Sequence, residues 1–119
     1  MALIRESEIV QLTTTGARSG QPRTVEMTAH EYGDALYMIG SNWGRPRHPS
    51  CYHNLRANPA ATVLVGGRPL AMTARVADGA ERDRLLAAGK QRWSGYTDYE
   101  LKSGRRLPVI VFESAADPG

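Results

Sequence analysis

Short turns between segments of strand character constrain the fold of this chain most strongly. The stretch TTTGARSGQPRT, residues 13–24, lies between IVQL and VEMTAH, two segments typical of strands. Residues 23–32 alternate apolar and polar side chains with the two-residue period of a half-buried strand. Because a turn this short joins antiparallel neighbours, the sequence predicts an antiparallel sheet.

The same pattern continues to the end of the chain. After a first strand over residues 8–15, further strands are predicted in LYMIG, AATVLVG, PLAMTARVAD and LPVIVFE. Most of these segments are joined by short turns with glycine. About six strands connected in this way predict a small, closed or nearly closed antiparallel barrel with helices over its ends.

Two helices are predicted beside the strands. The first covers residues 50–58 with Ser50 as its N-cap, and the second covers residues 79–90 with Gly89 as its C-terminal stop. Residues 91–106 are predicted to be irregular or loosely helical.

Composition indicates one globular domain, predicted to span residues 1–119. Of the 119 residues, 41% are hydrophobic and 23% are charged. No apolar segment approaches the roughly 20 residues that cross a bilayer, and the first ten residues carry charges where a signal peptide would be apolar. These features predict a cytoplasmic protein without a transmembrane segment.

The charge pattern favours a small anionic ligand over nucleic acid. The net charge is only +3. The arginines form four separate groups: Arg18 and Arg23, Arg45 and Arg47, Arg82 and Arg84, Arg105 and Arg106. A nucleic-acid interface would show a continuous basic face interleaved with aromatic residues. We therefore expect no nucleic-acid partner.

The single cysteine, Cys51, excludes an intramolecular disulfide. With His48 and His53 it lies within six residues, which suggests a metal site. A structural zinc site needs four ligands at recognised spacing, and the remaining histidine, His30, lies in a predicted strand far back in the chain. We therefore expect no metal, and Cys51 is interpreted as a small buried thiol.

The glycine-rich turn is the first candidate site. Gly16 and Gly20 allow positive backbone φ angles, and successive turn amides can bind an anion. Arg18 and Arg23 add donors that match phosphate or carboxylate. From the residues alone, a solvated hairpin whose arginines serve solubility remains the alternative.

Residues 41–49 are the second candidate. Two prolines and a glycine predict a loop without regular structure, and long loops in small domains often line sites. Ser41 and Asn42 follow a strand end, and the helix start at Ser50 and Cys51 presents free amides. A lid that only covers the barrel is the alternative.

Trp93, Tyr96 and Tyr99 are the third candidate. Their spacing of three aligns them on one face of a helical turn. Such a face can wall a pocket, stack on a flat ligand and supply a proton, or it can simply pack beside the last strand. Since no carboxylate pair or catalytic triad can be assembled, a bound cofactor is expected to supply the chemistry of any enzyme.

In combination, these stretches resemble the deazaflavin-dependent nitroreductase family, small split β-barrel proteins related to flavin mononucleotide-binding barrels. The matching segments are LTTTGARSGQPRT, GDALYMIGSNWG, HPSCYHNLRANPAATV, TARV, ERDRL and RRLPVIVFE. They cover nearly the whole chain. The resemblance implies a mainly β (α+β) fold, a small antiparallel split β-barrel of about six strands with two or three short helices, forming one deazaflavin-binding domain.

The resemblance also implies roles for residues. The cofactor would be reduced 8-hydroxy-5-deazaflavin coenzyme F-420, with flavin mononucleotide less favoured. The implied cofactor-binding residues are Arg18, Ser19, Gly20, Arg23, Ser41, Asn42, Pro49, Ser50, Cys51 and Asn54. The implied substrate-facing residues are Trp93, Tyr96 and Tyr99, with Ser41, Tyr96 and Tyr99 as catalytic residues.

The implied reaction is hydride transfer from the reduced deazaflavin to an electron-poor small molecule such as an enone, a quinone or a nitro compound. The alternative is a non-catalytic carrier or sensor of a deazaflavin or flavin. The resemblance leaves the oligomeric state open and allows a homodimer.

Overall fold

The computed structural model describes residue 4 and residues 6–115. The strands are β1 (Ser7–Thr15), β2 (Pro22–Tyr32), β3 (Ala35–Ile39), β4 (Ala60–Val65), β5 (Arg68–Val76) and β6 (Val109–Ser114). The helices are α1 (Ser50–Ala57), α2 (Gly79–Arg92) and α3 (Gly95–Ser103), and Asn42–Gly44 form one turn of 3₁₀-helix. None of the helices in these described ranges has the length and apolar character required to span a membrane.

The six strands close into a barrel in the order β1-β2-β3-β6-β5-β4. Every strand pair is antiparallel, and pairing of β1 with β4 completes the ring. Three of the pairs are hairpins between consecutive strands, as the short turns indicate. The predicted small antiparallel barrel of about six strands with two or three short helices is confirmed.

Strands β3 and β6 are buried on both faces, which explains their continuous apolar sequences. Leu36 and Met38 belong to the core inside the barrel. Tyr37 and Ile39, which alternate with them, belong to a second core that includes residues of α2 and α3. The outer face of β3 therefore forms a packing surface for the two later helices.

The prediction that Gly89 ends the second helix is wrong. Helix α2 continues to Arg92, and Gly89 lies buried inside it. A Cβ atom at this position would collide with Cδ1 of Ile39. Glycine is therefore explained by close helix–sheet packing and not by helix termination.

Three further local predictions need correction. Ser50 is the first helical residue of α1, while Pro49 is the N-cap residue and makes no side-chain capping bond. Residues 95–103, expected to be irregular or loosely helical, form the regular helix α3, which ends at Gly104 with a φ of 65°. The left-handed conformation at Gly104 is a common way to end a helix. The loop after β3 also contains the 3₁₀ turn, although no regular structure was expected there.

Candidate active site

A cavity of about 610 Å³ lies beside the end of β3, between α1, α3 and the β1–β2 hairpin. Its volume is within the range of small-molecule sites. The predicted site residues that line it are Ser41, Asn42, Pro49, Ser50, Cys51, Trp93, Tyr96 and Tyr99. The fold thus brings the second and third candidate stretches to one cavity. Strand residues that the sequence did not single out complete the lining, among them Ile9, Val25, Met27, Met38 and Ile39, together with Gly40 just after β3.

Close packing at the end of β3 sets the start of the cavity loop. Gly40 is buried, and its amide donates to the Pro108 carbonyl over 2.8 Å. A Cβ atom on Gly40 would lie 2.7 Å from Cγ of Pro108, so only glycine fits without a shift. The chain then turns through Asn42, which has a φ of 46° and donates from Nδ2 to the Arg47 carbonyl.

Arg105 holds the same loop from the other side. Its guanidinium donates to the carbonyls of Gly40, Ser41 and Arg45 over 2.9 to 3.2 Å. It also lies 2.9 Å from Nδ1 of His48, whose pKa is lowered by burial and then by Arg105, so this nitrogen accepts. The sequence grouped Arg105 with a surface charge pair and did not indicate this role.

The aromatic wall consists of three side chains in edge-to-face contact. The Trp93 ring lies 4.9 Å from Tyr96 and 5.2 Å from Tyr99. Tyr96 and Tyr99 share one face of α3 as predicted, whereas Trp93 precedes that helix and folds over Gly95. Tyr96 is only 4% exposed and Trp93 is 45% exposed, so the wall runs from the core to the cavity mouth.

Tyr96 is linked to a buried histidine that sequence reasoning did not connect with the site. The Tyr96 hydroxyl lies 2.8 Å from Nε2 of His30. On the other side of the imidazole, Nδ1 lies 2.6 Å from Oγ of Ser7. Burial raises the pKa of Tyr96 to about 12 and, with a smaller effect of Arg92, lowers the pKa of His30 to about 4. Both groups are therefore neutral near pH 7.

Protonation of His30 should destabilise the fold as the pH is lowered. The unfolded chain binds a proton to this histidine near pH 6.5 and the folded chain only near pH 4, so its stabilising effect is complete above about pH 6.5 and is lost on acidification. The titratable or charged groups that face the ring are Tyr37, Tyr96 and the cation Arg92, and the neutral Ser7 hydroxyl contacts Nδ1. We expect a loss of roughly 2 kcal/mol in unfolding free energy between pH 7 and pH 5.

Urea unfolding at the two pH values measures this loss. His30→Gln should remove most of the pH dependence of the unfolding free energy. His53→Gln, at an exposed position, is the control and should leave that dependence unchanged. If wild type and His30→Gln lose the same unfolding free energy between pH 7 and pH 5, the loss is not due to His30.

The glycine-rich turn presents its arginines to solvent. Gly16 and Gly20 close the turn through backbone hydrogen bonds, and Gly20 has a φ of 70°. Oγ of Ser19 accepts from the Gln21 amide. Arg18 and Arg23 are exposed and, within the described part of the chain, form neither a hydrogen bond nor an ion pair. Two unpaired guanidinium groups thus remain available to an anion.

Asn54 ties this turn to the cavity without lining it. Its buried amide accepts from the Ala17 backbone N–H over 2.9 Å and donates to Oγ1 of Thr14. Asn54 lies one turn after Cys51 in α1, and the start of that helix lines the cavity. The side chain is therefore engaged within the protein, where it fixes the turn beside the cavity.

Cys51 lies buried at the cavity edge, and burial raises the pKa of its thiol. Within residues 6–115 and residue 4, no three His, Cys, Asp or Glu side chains come close enough to hold a metal ion.

Comparisons with known proteins agree with this architecture. Two F420H(2)-dependent quinone reductases of Mycobacterium tuberculosis are each 38% identical over 103 residues, which cover 84% of this chain and 69% of theirs. A solved F420-H2 dependent reductase is 38% identical with a TM-score of 0.79, covering 88% of this chain and 93% of its own. A solved domain-swapped dimer is also 38% identical, with a TM-score of 0.80 and coverages of 88% and 79%.

More distant structures share the fold alone. The heme storage protein HutZ of Vibrio cholerae, for example, is 11% identical with a TM-score of 0.67 over 92% of this chain and 82% of its own.

Fold and sequence together define a deazaflavin-dependent reductase. Residues 2–114 match the profile of the F420H(2)-dependent quinone reductases, and the chain belongs to that family. The resemblance noted in the sequence, the enzyme class and reduced F420 as cofactor are thereby confirmed.

The residues around the cavity fit such a cofactor. The family resemblance implies a cofactor with a flat deazaflavin ring and an anionic side chain that carries a phosphate. The cavity offers apolar side chains for a ring, such as Met38 and Ile39, and the adjoining turn offers the unpaired Arg18 and Arg23 for an anion.

Proposed function

We propose that this protein reduces a quinone to its hydroquinone in the cavity beside β3. The observation that carries the proposal is the neutral phenol of Tyr96, which lines a cavity of suitable volume while its hydroxyl is held by a buried imidazole. Membership of the family and the printed activity of the M. tuberculosis relatives support a quinone as the acceptor.

In this proposal the cofactor is bound at two places. Arg18 and Arg23, with Ser19 and Gly20 of the same turn, bind its anionic side chain. The ring would lie against the residues at the end of β3 and the start of α1: Ser41, Asn42, Pro49, Ser50 and Cys51. Asn54 acts indirectly, because its hydrogen bond to Ala17 positions the turn.

The reduced cofactor, when bound, supplies the hydride. Conversion of a quinone to a hydroquinone also requires one proton, which Tyr96 donates to the quinone oxygen. Trp93 and Tyr99 hold the flat acceptor by stacking and exclude water. Ser41 and Tyr99 also carry hydroxyl groups at the cavity and remain the alternative proton donors.

The proposal is tested by mixing the purified protein with reduced F420 and following cofactor oxidation with menadione, a cyclic enone and a nitroimidazole as separate acceptors. Turnover with menadione supports the proposal, and turnover with the enone or nitroimidazole would extend the acceptor class. Binding of F420 without turnover of any acceptor would overturn it in favour of a carrier.

Assembly and location are two further proposals. A solved relative at 38% identity is a domain-swapped dimer, which supports a homodimer. Light scattering coupled to size-exclusion chromatography distinguishes a dimer from a monomer. A cytoplasmic location stays a prediction, which cell fractionation tests.

A further inference from the structure

A chain of three hydrogen-bonding side chains runs from the outside of the barrel to the cavity. Ser7, partly exposed at the start of β1, contacts Nδ1 of His30 over 2.6 Å. Nε2 of His30 contacts the Tyr96 hydroxyl over 2.8 Å, and Tyr96 lines the cavity. His30 itself is 1% exposed, and its two ring nitrogens contact these two hydroxyl groups.

The fold fixes this arrangement from three directions. Ser7 and His30 are directly paired in the β1–β2 register, so their side chains point to the same face. Helix α3 brings Tyr96 to the opposite side of the imidazole. The Tyr37 ring, 5.0 Å from the imidazole, packs beside it and limits its rotation.

A neutral imidazole can join two hydroxyl groups in either of two ways. In the first arrangement Ser7 donates to Nδ1, the Nε2–H of His30 donates to the Tyr96 oxygen, and the Tyr96 proton is free for the cavity. In the second arrangement Tyr96 donates to Nε2 and the Nδ1–H donates to Ser7. Burial and the nearby Arg92 keep His30 neutral, because both lower its pKa.

We propose that Ser7 and His30 form a proton relay that restores the hydroxyl proton of Tyr96 after each turnover. This inference rests on the proposed function, in which Tyr96 protonates the quinone oxygen. Ser7 and His30 do not touch the acceptor, so they act as positioning and relay residues.

The proton balance is complete without any further reactant than water. The Tyr96 O–H bond breaks as its proton moves to the quinone oxygen, and the Nε2 proton of His30 moves to the Tyr96 oxygen. The Ser7 proton then moves to Nδ1, and a proton from solvent replaces it. One proton enters at Ser7 and one leaves at the cavity, which converts the first arrangement into the second. The two hydroxyl groups then rotate and the imidazole proton moves back from Nδ1 to Nε2, which restores the first arrangement.

Nitrogen NMR of the histidine rings tests the relay in the protein without cofactor. We expect His30 to be neutral at pH 7, with both ring nitrogens hydrogen-bonded. Tyr96→Phe should shift the Nε2 signal and Ser7→Ala the Nδ1 signal. A protonated ring, or a nitrogen that responds to neither variant, would overturn the relay whatever the protein's activity.

His30→Gln tests the relay during turnover. A glutamine amide can still hold the Tyr96 hydroxyl, but it cannot pass a proton from one side to the other. The first turnover, measured by stopped flow, should therefore stay near the wild-type rate, while the steady-state kcat falls roughly tenfold or more with an unchanged KM. A structural role alone would slow the first turnover equally, and that result, or an unchanged kcat, would overturn the relay.

Ser7→Ala interrupts the relay at its solvent end. Its first turnover should also stay near the wild-type rate, and its steady-state kcat should fall less than that of His30→Gln. Thr13→Val is the matched control, because it removes a hydroxyl of β1 whose one hydrogen bond among the described residues is to Thr24. If the wild-type protein does not oxidise reduced F420 with menadione, the proposed function fails. The NMR result then still decides whether the relay exists.

Discussion

Tyr96→Phe is expected to lower kcat by about 10²- to 10⁴-fold, the range typical of a lost general acid. The phenol is neutral because burial raises its pKa to about 12, so it carries its proton throughout the physiological range. Removal of the hydroxyl leaves the ring and its edge contact with Trp93 in place. Steady-state kinetics with reduced F420 and menadione should therefore show a large change in kcat and a small one in KM.

The control for this prediction is Tyr32→Phe, which removes a phenol that bonds Glu81 outside the cavity. It should leave kcat unchanged. Tyr96→Phe also leaves Nε2 of His30 without its partner, at a cost of about 1–3 kcal/mol in stability, so urea unfolding must show that the variant is folded under assay conditions. An equal loss of cofactor affinity and kcat would contradict a proton-donor role.

Arg18→Ala and Arg23→Ala are each expected to weaken binding of reduced F420 by roughly tenfold to more than a hundredfold. A hydrogen bond to a charged group contributes about 1.5–3 kcal/mol, and neither guanidinium has another partner in the described part of the chain. Because both side chains are exposed, the folded state should lose little stability. Isothermal titration calorimetry measures the change in Kd.

Arg68→Ala is the matched control for the two arginines. Arg68 is equally exposed, but the β1–β4 and β4–β5 registers place it at the opposite end of the barrel from the glycine-rich turn. Its removal should leave the Kd unchanged. If all three variants weaken binding equally, the effect is one of net charge and the turn is not a binding site.

The barrel could be predicted from the sequence because its determinants are local. Glycine-containing turns specify hairpins, and alternation in residues 23–32 specifies which face of β2 is buried. The continuous apolar run of β6 is also local, although only the structure explains it through the helices packed on the outer face. The motifs around Arg18 and Ser41 indicated the family for the same reason.

What the sequence could not predict depends on contacts between distant segments. Gly89 resembles a helix stop in sequence, yet it lies where α2 meets Ile39. Arg105 has no local sign of its bonds to the cavity loop, which lies about 60 residues earlier. His30 is 66 residues from Tyr96, and no spacing rule joins them. A buried histidine in a strand is a useful signal only once its partner is known.

In the proposed binding mode, the cavity beside β3 holds the cofactor ring and the glycine-rich turn holds its anionic side chain. A crystal structure of the protein with F420 tests this most directly. We predict the ring against Gly40 and Cys51 beside Tyr96, with the guanidinium groups of Arg18 and Arg23 on the anionic groups. A ring bound elsewhere, with both guanidinium groups left in solvent, would show that the cavity and the turn are not the cofactor site.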